Sequence, residues 1–373
     1  MDQLLKLMED WKGYVPVRGA RPVGWEGAVA SVIELVENHK GLPLRRWQFE
    51  LEEAMGTDSF PLLFADALDR QMLAGFQGVG TPLDPIFRRS QVADFRTVKR
   101  FRHEGMIERM PIVGEKGEYT LVEETEGEFS YALSKYGRRT ALSWETLLND
   151  DLNAFSRFPA NLAQSALNTQ AWFQTYMLLD ANGPRSAFFA AGLGQAAVSV
   201  LTLTVANLGT AVAEQQAYQS LRNEPILNAP RYLVVGPSQE INARTILTSA
   251  QLAWTDGTST GELAHGTANA LKSYGLQLIV DPWIPVVANS ATTTWYLVAD
   301  PSQIAPAEFG QLRGHSSPEL FIQDSDQRRV GGGGVSPMDG SFHRDMIEYK
   351  VRYCFGGCTL DERAVWGSTG AGS

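Results

Sequence analysis

The sequence predicts an α+β fold in which one long helix, one long β-hairpin and an alternating α/β region are separate parts. Three observations support this fold class. Between Leu162 and Met177, apolar residues recur at intervals of three and four, which is the helical period. Between residues 94 and 142, aromatic and branched residues follow a period of two, which is typical of strands. From residue 199 to 299, strand-like and helix-like segments alternate, which favours an α/β arrangement.

The composition is that of a folded protein, because 44% of the 373 residues are hydrophobic and 20% are charged. These values exclude a disordered chain and a coiled coil. The net charge is −10, from 32 Lys and Arg against 42 Asp and Glu, which disfavours binding through nucleic-acid phosphates. Only two cysteines are present, so a disulfide scaffold is excluded and a reducing compartment is expected. We expect neither a signal peptide nor a membrane-spanning segment.

Residues 1–85 are predicted to form an N-terminal arm of short helices separated by proline and glycine. Apolar residues have helical spacing in the segments 28–39, 47–55 and 63–76. Helices this short are only marginally stable in isolation, so the arm is expected to need another surface to pack against.

Residues 86–150 are predicted to contain an extended hairpin with flanking strands. Its arms are basic, through Arg96, Lys99, Arg100, Arg102, Lys135, Arg138 and Arg139. Its far end, residues 104–128, is called the acidic end here and has eight glutamates against two basic residues, Arg109 and Lys116. These glutamates are Glu104, Glu108, Glu115, Glu118, Glu123, Glu124, Glu126 and Glu128. Arms of about 15 residues reach about 50 Å, which is too long for the hairpin to bury its faces within its own chain, so it is either flexible or lies on a neighbouring subunit.

The segment 151–185 is predicted to hold a long helix, from about residue 159 to 180. Asp150 and Asp151 are interpreted as capping residues and Pro159 as a first-turn residue, with a stop at Asn182-Gly183-Pro184. Beyond it, strands are predicted at 199–205, 231–235, 276–280, 294–299, 320–323 and 345–353, and helices at 205–219 and 239–252.

The sequence offers no convincing catalytic constellation. His343-Arg344-Asp345 begins like a kinase catalytic loop, but Lys350 occupies the position that needs Asn. The four glycines at 331–334 lack the Lys-Ser/Thr of a phosphate-binding loop and indicate a hinge or an exposed loop. Cys354 and Cys358 would lie about 13 Å apart on a straight strand, unless the two glycines between them make a turn. We therefore expect no enzyme activity and no catalytic, cofactor-binding or metal-binding residues.

Ten segments, in this order and spacing, resemble the tailed-phage major capsid proteins. The segments are Asp94-Phe-Arg-Thr-Val-Lys-Arg-Phe-Arg, Gly117-Glu-Tyr, Glu123-Glu-Thr, Tyr131-Ala-Leu-Ser-Lys-Tyr-Gly-Arg-Arg, Leu142-Ser-Trp-Glu, Asn149-Asp-Asp-Leu, Tyr232-Leu-Val-Val-Gly-Pro, Leu278-Ile-Val-Asp-Pro, Trp295-Tyr-Leu-Val-Ala-Asp-Pro and Cys354-Phe-Gly-Gly-Cys-Thr-Leu-Asp-Glu-Arg. The nearest branch resembles the Mu-type major head subunits and the prohead protease/capsid fusions. The resemblance covers roughly residues 45 to 373.

This resemblance implies the Hong Kong 97 type phage major capsid fold. In its terms the parts are the N-terminal arm at 1–85, the extended loop with flanking strands at 86–150, the spine helix of the peripheral domain at 151–185, the axial domain at 186–317 and the return strands of the peripheral domain at 318–373. It implies a major capsid protein of a tailed double-stranded DNA phage, which forms hexamers and pentamers of an icosahedral shell. The expected location is the virion, after assembly in the bacterial cytoplasm.

The implied partners are further copies of the chain, a portal protein and packaged DNA enclosed without sequence-specific binding. A scaffold, a maturation protease and a decoration protein are further candidates, and no cofactor or membrane is expected. The hairpin residues predicted to lie at contacts between subunits are Arg96, Lys99, Arg100, Arg102, Glu115, Lys116, Glu118, Glu123, Glu124, Glu126, Arg138 and Arg139.

Some shells of this fold are joined by isopeptide bonds between a hairpin lysine and an asparagine of the peripheral domain. Lys116 lies where such a lysine would lie, but residues 319–373 contain no asparagine, so we expect a shell without covalent links. Two alternatives stand beside the capsid hypothesis. They are a soluble α/β enzyme with a regulatory arm and another structural component of a virion.

Overall fold

The computed structural model describes residues 69–70, 72–77, 80–104, 110, 112–119, 125–143, 152–189, 198–220, 224–226, 228–249, 251–254, 265–328, 330, 335 and 340–372. The predicted arm helices at 28–39 and 47–55 lie outside these residues. The chain divides into two compact units. The first unit is made of Met1–Gly78, Tyr136–Ser165 and Ser317–Tyr353, and the second unit of Val79–Lys135, Ala166–Ser316 and Cys354–Ser373.

The described residues contain fifteen named strands and four named α-helices. The strands are β1 Phe87–Val92, β2 Val98–Glu104, β3 Thr125–Tyr131, β4 Ser134–Ser143, β5 Leu179–Asp180, β6 Gly183–Pro184, β7 Pro230–Val235, β8 Gln251–Trp254, β9 His265–Ala268, β10 Gln277–Val280, β11 Trp295–Ala299, β12 Ala307–Leu312, β13 Glu319–Ile322, β14 Met346–Thr359 and β15 Val365–Ser368. The helices are α1 Leu152–Leu178, α2 Val205–Gln216, α3 Glu240–Thr248 and α4 Ile284–Val287.

The first unit is built around the first half of β14, which pairs with β13 and with β4. Side chains of β14 alternate, so that Ile347, Tyr349, Val351 and Tyr353 are buried and the residues between them face outwards. Val351 packs in a small core with Met72, Leu162 and Ala163. This core joins the helical residues 72–77 and the first half of α1 to one face of the sheet.

The second unit contains a four-stranded sheet in the order β10-β7-β11-β15. The strands β10 and β7 are parallel, and the other neighbours are antiparallel. β7 and β11 are almost wholly apolar and buried, and α2 and α3 contribute Leu208, Val212 and Ile246 to the same core. The core also holds Trp295 and Trp366, whose rings are 4.9 Å apart.

In this unit the hairpin is carried by β1, β12 and the second half of β14. β1 runs parallel to β12, and β12 runs antiparallel to residues 355–359 of β14. Phe173, from the second half of α1, packs edge to face against Phe309 and Phe355, with ring centroids 6.3 and 5.3 Å away. β2 and β3 form the two-stranded hairpin that follows β1.

Most predicted elements are present, but one predicted strand is absent and several predicted limits are wrong, among them the end of the strand at 345–353, which continues to Thr359 as β14. The long helix α1 begins at Leu152, so Pro159 lies inside the helix rather than in its first turn. No strand forms at 199–205, where Ser199 makes only an isolated bridge and Thr204 caps the start of α2. The helix predicted at 239–252 ends at Thr248, because β8 begins at Gln251. Among the described residues, no helix combines the length and the hydropathy needed to cross a membrane.

Candidate interaction site at the hairpin

The predicted hairpin is present as the antiparallel pair β2 and β3, from Val98 opposite Tyr131 to Glu104 opposite Thr125. Its second arm is shorter than predicted, because Lys135, Arg138 and Arg139 lie on β4, which pairs with β14. Part of its acidic end is described, at residues 110 and 112–119. There the amide of Gly117 donates to the carbonyl of Gly114 at 2.8 Å, which closes a tight turn. Three large apolar side chains of this segment are almost fully exposed, namely Met110 at 93%, Ile112 at 100% and Tyr119 at 88%. The end of the hairpin therefore presents apolar as well as charged groups to its surroundings.

The base of the hairpin is held by one buried carboxylate, that of Glu308 on β12, whose side chain is only 1% exposed. Nε of Arg100 donates to its two oxygens at 2.8 and 3.0 Å. The hydroxyl of Tyr131 donates at 2.6 Å and that of Ser90 at 2.7 Å. Because Arg100 lies on β2 and Tyr131 on β3, this single acid binds both strands of the hairpin to the sheet. A buried carboxylate is stabilised when several donors satisfy it in this way.

The electrostatics of this cluster keep Glu308 ionised. Burial by itself raises the pKa of Glu308, but hydrogen bonds from Tyr131, Ser90 and Arg100 outweigh burial and hold that pKa below its ordinary value. Burial lowers the pKa of Arg100, and the contacts with Glu308 more than reverse this effect. Burial and the adjacent Glu308 raise the pKa of Tyr131 to about 12, so the phenol stays protonated and remains a donor.

A glycine on β12 makes room for this arrangement. A Cβ atom at Gly310 would lie 2.7 Å from Cε2 of Tyr131, which is closer than real contacts allow. The Tyr131 ring therefore lies directly over the backbone of β12, where its hydroxyl reaches Glu308. Val92 and Leu133 complete the apolar packing around the ring.

A second contact at the base of the hairpin involves Arg102, which lies two residues after Arg100 on β2. Its guanidinium lies 3.1 Å from the Glu362 carboxylate and 3.4 Å from that of Asp361, and it covers the ring of Phe129 at 5.5 Å. Asp361 also accepts two hydrogen bonds from the side chain of Arg363, at 2.9 and 2.7 Å. The C-terminal part of the chain thus helps to fix the direction in which the hairpin leaves the second unit.

The other predicted contact residues are more exposed. Arg96 pairs with Asp94, Lys99 pairs with Glu128 at 2.8 Å, and Arg139 pairs with Glu348 at 3.2 Å. The remaining side chains that are described lie exposed, and they are Glu115, Lys116, Glu118 and Arg138. Glu123 and Glu124 lie outside the described residues, and only the backbone of Glu126 is placed, opposite His103.

Sequence reasoning missed the acceptors of the hairpin base. Glu308 gives no signal in the sequence, because it is a lone acid in a predominantly apolar stretch more than 200 residues after Arg100. Asp361 and Glu362 occur in a segment quoted for its resemblance, but the sequence does not connect them with Arg102.

The two cysteines do not form a site. Both are free, and both lie within the continuous strand β14, where Gly356 and Gly357 pair with β12 instead of making a turn. Residues four apart on a strand are about 13 Å apart, so these thiols cannot bridge within one chain. Burial and the nearby charge of Glu308 raise the pKa of Cys358 to about 11, which keeps the thiol protonated and unreactive. Within the described part of the chain, no group of three or more His, Cys, Asp or Glu could hold a metal ion.

Comparison with known proteins decides the family. The family model described as phage capsid protein matches residues 125–368, which is more than half of the chain. The chain belongs to the phage capsid protein family. The role of this capsid protein is that of a major capsid protein, a structural component of the virion. The family indicates a structural rather than an enzymatic role. No curated protein matches the chain.

Solved structures similar to this capsid protein include those of two phages and of a virus-like particle. A protein of Microbacterium phage Oxtober96 is 9% identical over 78% of this chain and 91% of its own, with a TM-score of 0.48. A virus-like particle from Pyrococcus furiosus is 11% identical over 82% of this chain and 99% of its own, with a TM-score of 0.43. The capsid of cyanophage P-SCSP1u is 11% identical over 78% of this chain and 88% of its own, with a TM-score of 0.42.

Proposed function

We propose that this chain is the shell-forming subunit of a tailed double-stranded DNA phage, arranged in hexamers and pentamers of an icosahedral shell of the Hong Kong 97 type. The five segments assigned from the sequence resemblance, from the arm at 1–85 to the return strands at 318–373, and the Mu-type branch are parts of the same proposal. Its partners are further copies of the chain, the portal and the enclosed DNA, with a scaffold, a maturation protease and a decoration protein as candidates. Assembly takes place in the host cytoplasm.

The observation that carries the proposal is the contrast between the two ends of the hairpin. Its base is held by the buried Glu308 and by the Arg102 contacts. Its far end exposes Met110, Ile112 and Tyr119. A hairpin that is rigidly attached at one end and exposes apolar groups at the other is suited to contacts with another subunit.

The net charge supports a container function. At −10, the chain repels the DNA phosphates on average, so the enclosed DNA is not gripped by the shell. The alternative of an α/β enzyme would need convergent titratable groups in a cavity. The titratable clusters of the described residues instead bind one segment of the chain to another, as Glu308 and Asp361 do.

Electron microscopy of negatively stained purified protein, together with sedimentation, tests the proposal. We expect closed shells, and self-association in the absence of DNA. Tubes or rings would point to another kind of virion component. A folded monomer at high concentration and at every salt concentration would contradict the proposal.

The acidic end offers a sharper test of how subunits interlock. Replacing Glu123, Glu124 and Glu126 by Lys should impair assembly and leave the fold of the subunit intact, because it reverses charges that are predicted to meet a basic surface. The matched variant with three Gln removes the charges without reversing them, and it should give an intermediate yield. Individual exposed ion pairs contribute less than about 1 kcal/mol and are screened by salt, but a shell repeats them many times. Normal shell yield from the Lys variant would remove the electrostatic part of the proposal.

A further inference from the structure

We infer that one internal water molecule bridges the hydroxyl of Tyr296 on β11 and the carboxylate of Asp281, which follows β10. The water completes a polar link between the four-stranded sheet of the second unit and the helix α1. Thr175 of α1, Asp281 and Tyr296 are together called the polar junction here. The inference concerns the folded subunit, so it does not depend on whether the chain forms shells.

The register of the strands places Asp281 and Tyr296 on the same face of the sheet. Ile279 on β10 and Tyr296 on β11 both lie opposite Val234 on the strand β7 between them. Paired residues of neighbouring strands point to the same side of a sheet, and so do residues two apart on one strand. Asp281 follows this rule, because its amide extends the pairing by donating to the carbonyl of Val235 at 2.9 Å.

This face is the one that packs against α1. The other face carries Leu233, Val235 and Trp295, which belong to the apolar core shared with α2 and α3. On the face of the polar junction, the hydroxyl of Thr175 donates to Oδ2 of Asp281 at 2.6 Å. A polar contact between buried side chains therefore joins the second half of α1 to the sheet.

Tyr296 is the member of the polar junction that lacks a partner. Its side chain is 0% exposed, and its hydroxyl has no hydrogen-bond partner among the described residues. Burial and the nearby charge of Asp281 raise the pKa of Tyr296 well above its ordinary value, so the hydroxyl keeps its proton. Leaving a buried donor unsatisfied costs free energy, and native proteins satisfy most such groups through protein atoms or ordered water.

Asp281 can accept a further hydrogen bond. Its side chain is 1% exposed, and it accepts one bond from Thr175 and one, at 2.9 Å, from the amide of Trp283. An ionised carboxylate offers about four acceptor positions, so these two donors leave room for another. Burial raises the pKa of Asp281 despite both bonds, which shows that they only partly compensate for the loss of solvent.

A water molecule meets the needs of both groups. It can accept the hydroxyl proton of Tyr296 in one hydrogen bond and donate to Asp281 in another, and two polar partners are enough to hold a buried water. The charge of Asp281 acts on Tyr296, yet the hydroxyl makes no direct hydrogen bond to the carboxylate. A bridging water accounts for this combination of proximity and missing contact.

A metal cation fits the polar junction less well. Thr175 and Trp283 both direct hydrogens at the Asp281 carboxylate, and hydrogens repel a cation. Hard cations also require about six oxygen ligands, and the described residues contain no group of three or more His, Cys, Asp or Glu that could hold a metal.

The variant Tyr296→Phe tests the inference, because a bridged hydroxyl and an unsatisfied hydroxyl predict opposite effects. If the water is present, the variant loses a hydrogen bond, and the thermal midpoint of the unassembled full-length subunit should fall by about 3 °C. A raised midpoint would show that the hydroxyl was unsatisfied and would overturn the inference. Tyr274→Phe is the matched control, because it removes the same atom from a tyrosine of the second unit that is 47% exposed. It should change the midpoint by less than about 1 °C.

The same change in the Asp281→Asn background identifies the second partner of the water. The loss on Tyr296→Phe should shrink to about half there, because the water then bonds to a neutral amide instead of a charged carboxylate. An undiminished loss in that background would show that the Tyr296 hydroxyl bonds elsewhere, and would overturn the bridge.

Two further measurements separate water from the other possible links. A density map that resolves ordered waters should show one water within hydrogen-bond distance of both side chains, whereas a direct Tyr296–Asp281 bond would contradict the inference. Replacing Na⁺ by tetramethylammonium at constant ionic strength should leave the thermal midpoint unchanged. A lower midpoint in tetramethylammonium would assign the place to a cation and refute the water.

Discussion

Removing the charge of Glu308 should loosen the hairpin from the sheet without unfolding the rest of the second unit. The change Glu308→Gln keeps the size of the side chain and one acceptor oxygen, but it introduces an NH2 group where three donors converge. Arg100 then loses its counter-ion, and its Nε meets the NH2 group in place of Oε2. Both hydroxyls donate to Oε1 and keep their acceptor if the amide oxygen takes that position.

The size of the effect follows from burial. Breaking a buried ion pair by removing one partner costs about 3–5 kcal/mol, and a hydrogen bond to a charged group contributes about 1.5–3 kcal/mol. The Arg100 side chain is 35% exposed, so water compensates for part of the loss. We therefore expect Glu308→Gln to destabilise the attachment of the hairpin by about 2–4 kcal/mol. The matched control is Lys99→Met, which breaks a pair that is 58% and 48% exposed and should cost less than about 1 kcal/mol.

Hydrogen exchange of the backbone amides in residues 98–102 and 128–131 of the unassembled subunit measures this attachment. Exchange in Glu308→Gln should accelerate by about 30-fold to 800-fold, at tenfold per 1.4 kcal/mol. The effect should depend on pH, because the pKa of Glu308 lies below its ordinary value of 4.5 in the folded state. The stabilisation is therefore complete above that value and is lost as the pH falls through the lower folded pKa, where wild type and variant converge. Equal acceleration in Glu308→Gln and Lys99→Met would refute the reasoning.

Three further predictions concern the packing, the buried acid and the particle. Gly310→Ala should destabilise the second unit by about 1–3 kcal/mol in urea unfolding, because the new Cβ would meet the ring of Tyr131 at 2.7 Å, and an unchanged midpoint would contradict this packing. Asp281→Asn should be at least as stable as wild type at pH 7, because burial raises the pKa of Asp281 despite its hydrogen bond from Thr175. As the pH falls towards 3.8, the thermal midpoint of the wild type should rise relative to that of the variant, because protonation of Asp281 removes the free-energy cost of its buried charge. A difference in midpoint that does not change with pH would contradict this prediction. Particles boiled in detergent with reductant should release single chains of monomer mass, whereas a surviving ladder of multimers would reveal covalent links.

Local periodicity predicted those parts of the fold in which side chains alone determine the element. The apolar stripe of α1 is an example, because Leu162, Ala163 and Leu167 are buried at the spacing that the sequence shows. The sequence predicts that α1 starts near Pro159, because proline is common in the first turn of a helix. The helix instead begins at Leu152, and Pro159 is tolerated within it. The strand β1 was predicted only as an unbounded flanking strand within 86–150, because its burial pattern has no strict alternation.

The attachment of the hairpin could not be predicted from the sequence. The hairpin strands follow from a period of two, but their partner Glu308 is brought into place by the parallel pairing of β1 and β12. That pairing joins segments more than 200 residues apart, and no local pattern specifies its register. The contact of Phe321 with Lys350 has the same origin, since these residues meet only through the register of β13 and β14.

The strand β15 has a consequence for the order of events during synthesis. It is the edge strand of a sheet whose other members lie between residues 230 and 299, and its Trp366 packs against Trp295. A nascent chain that has exposed β7, β10 and β11 at the ribosome therefore still lacks the strand that covers Trp295. Because chains fold as their segments emerge, that sheet is completed only after residues 365–368 have been translated.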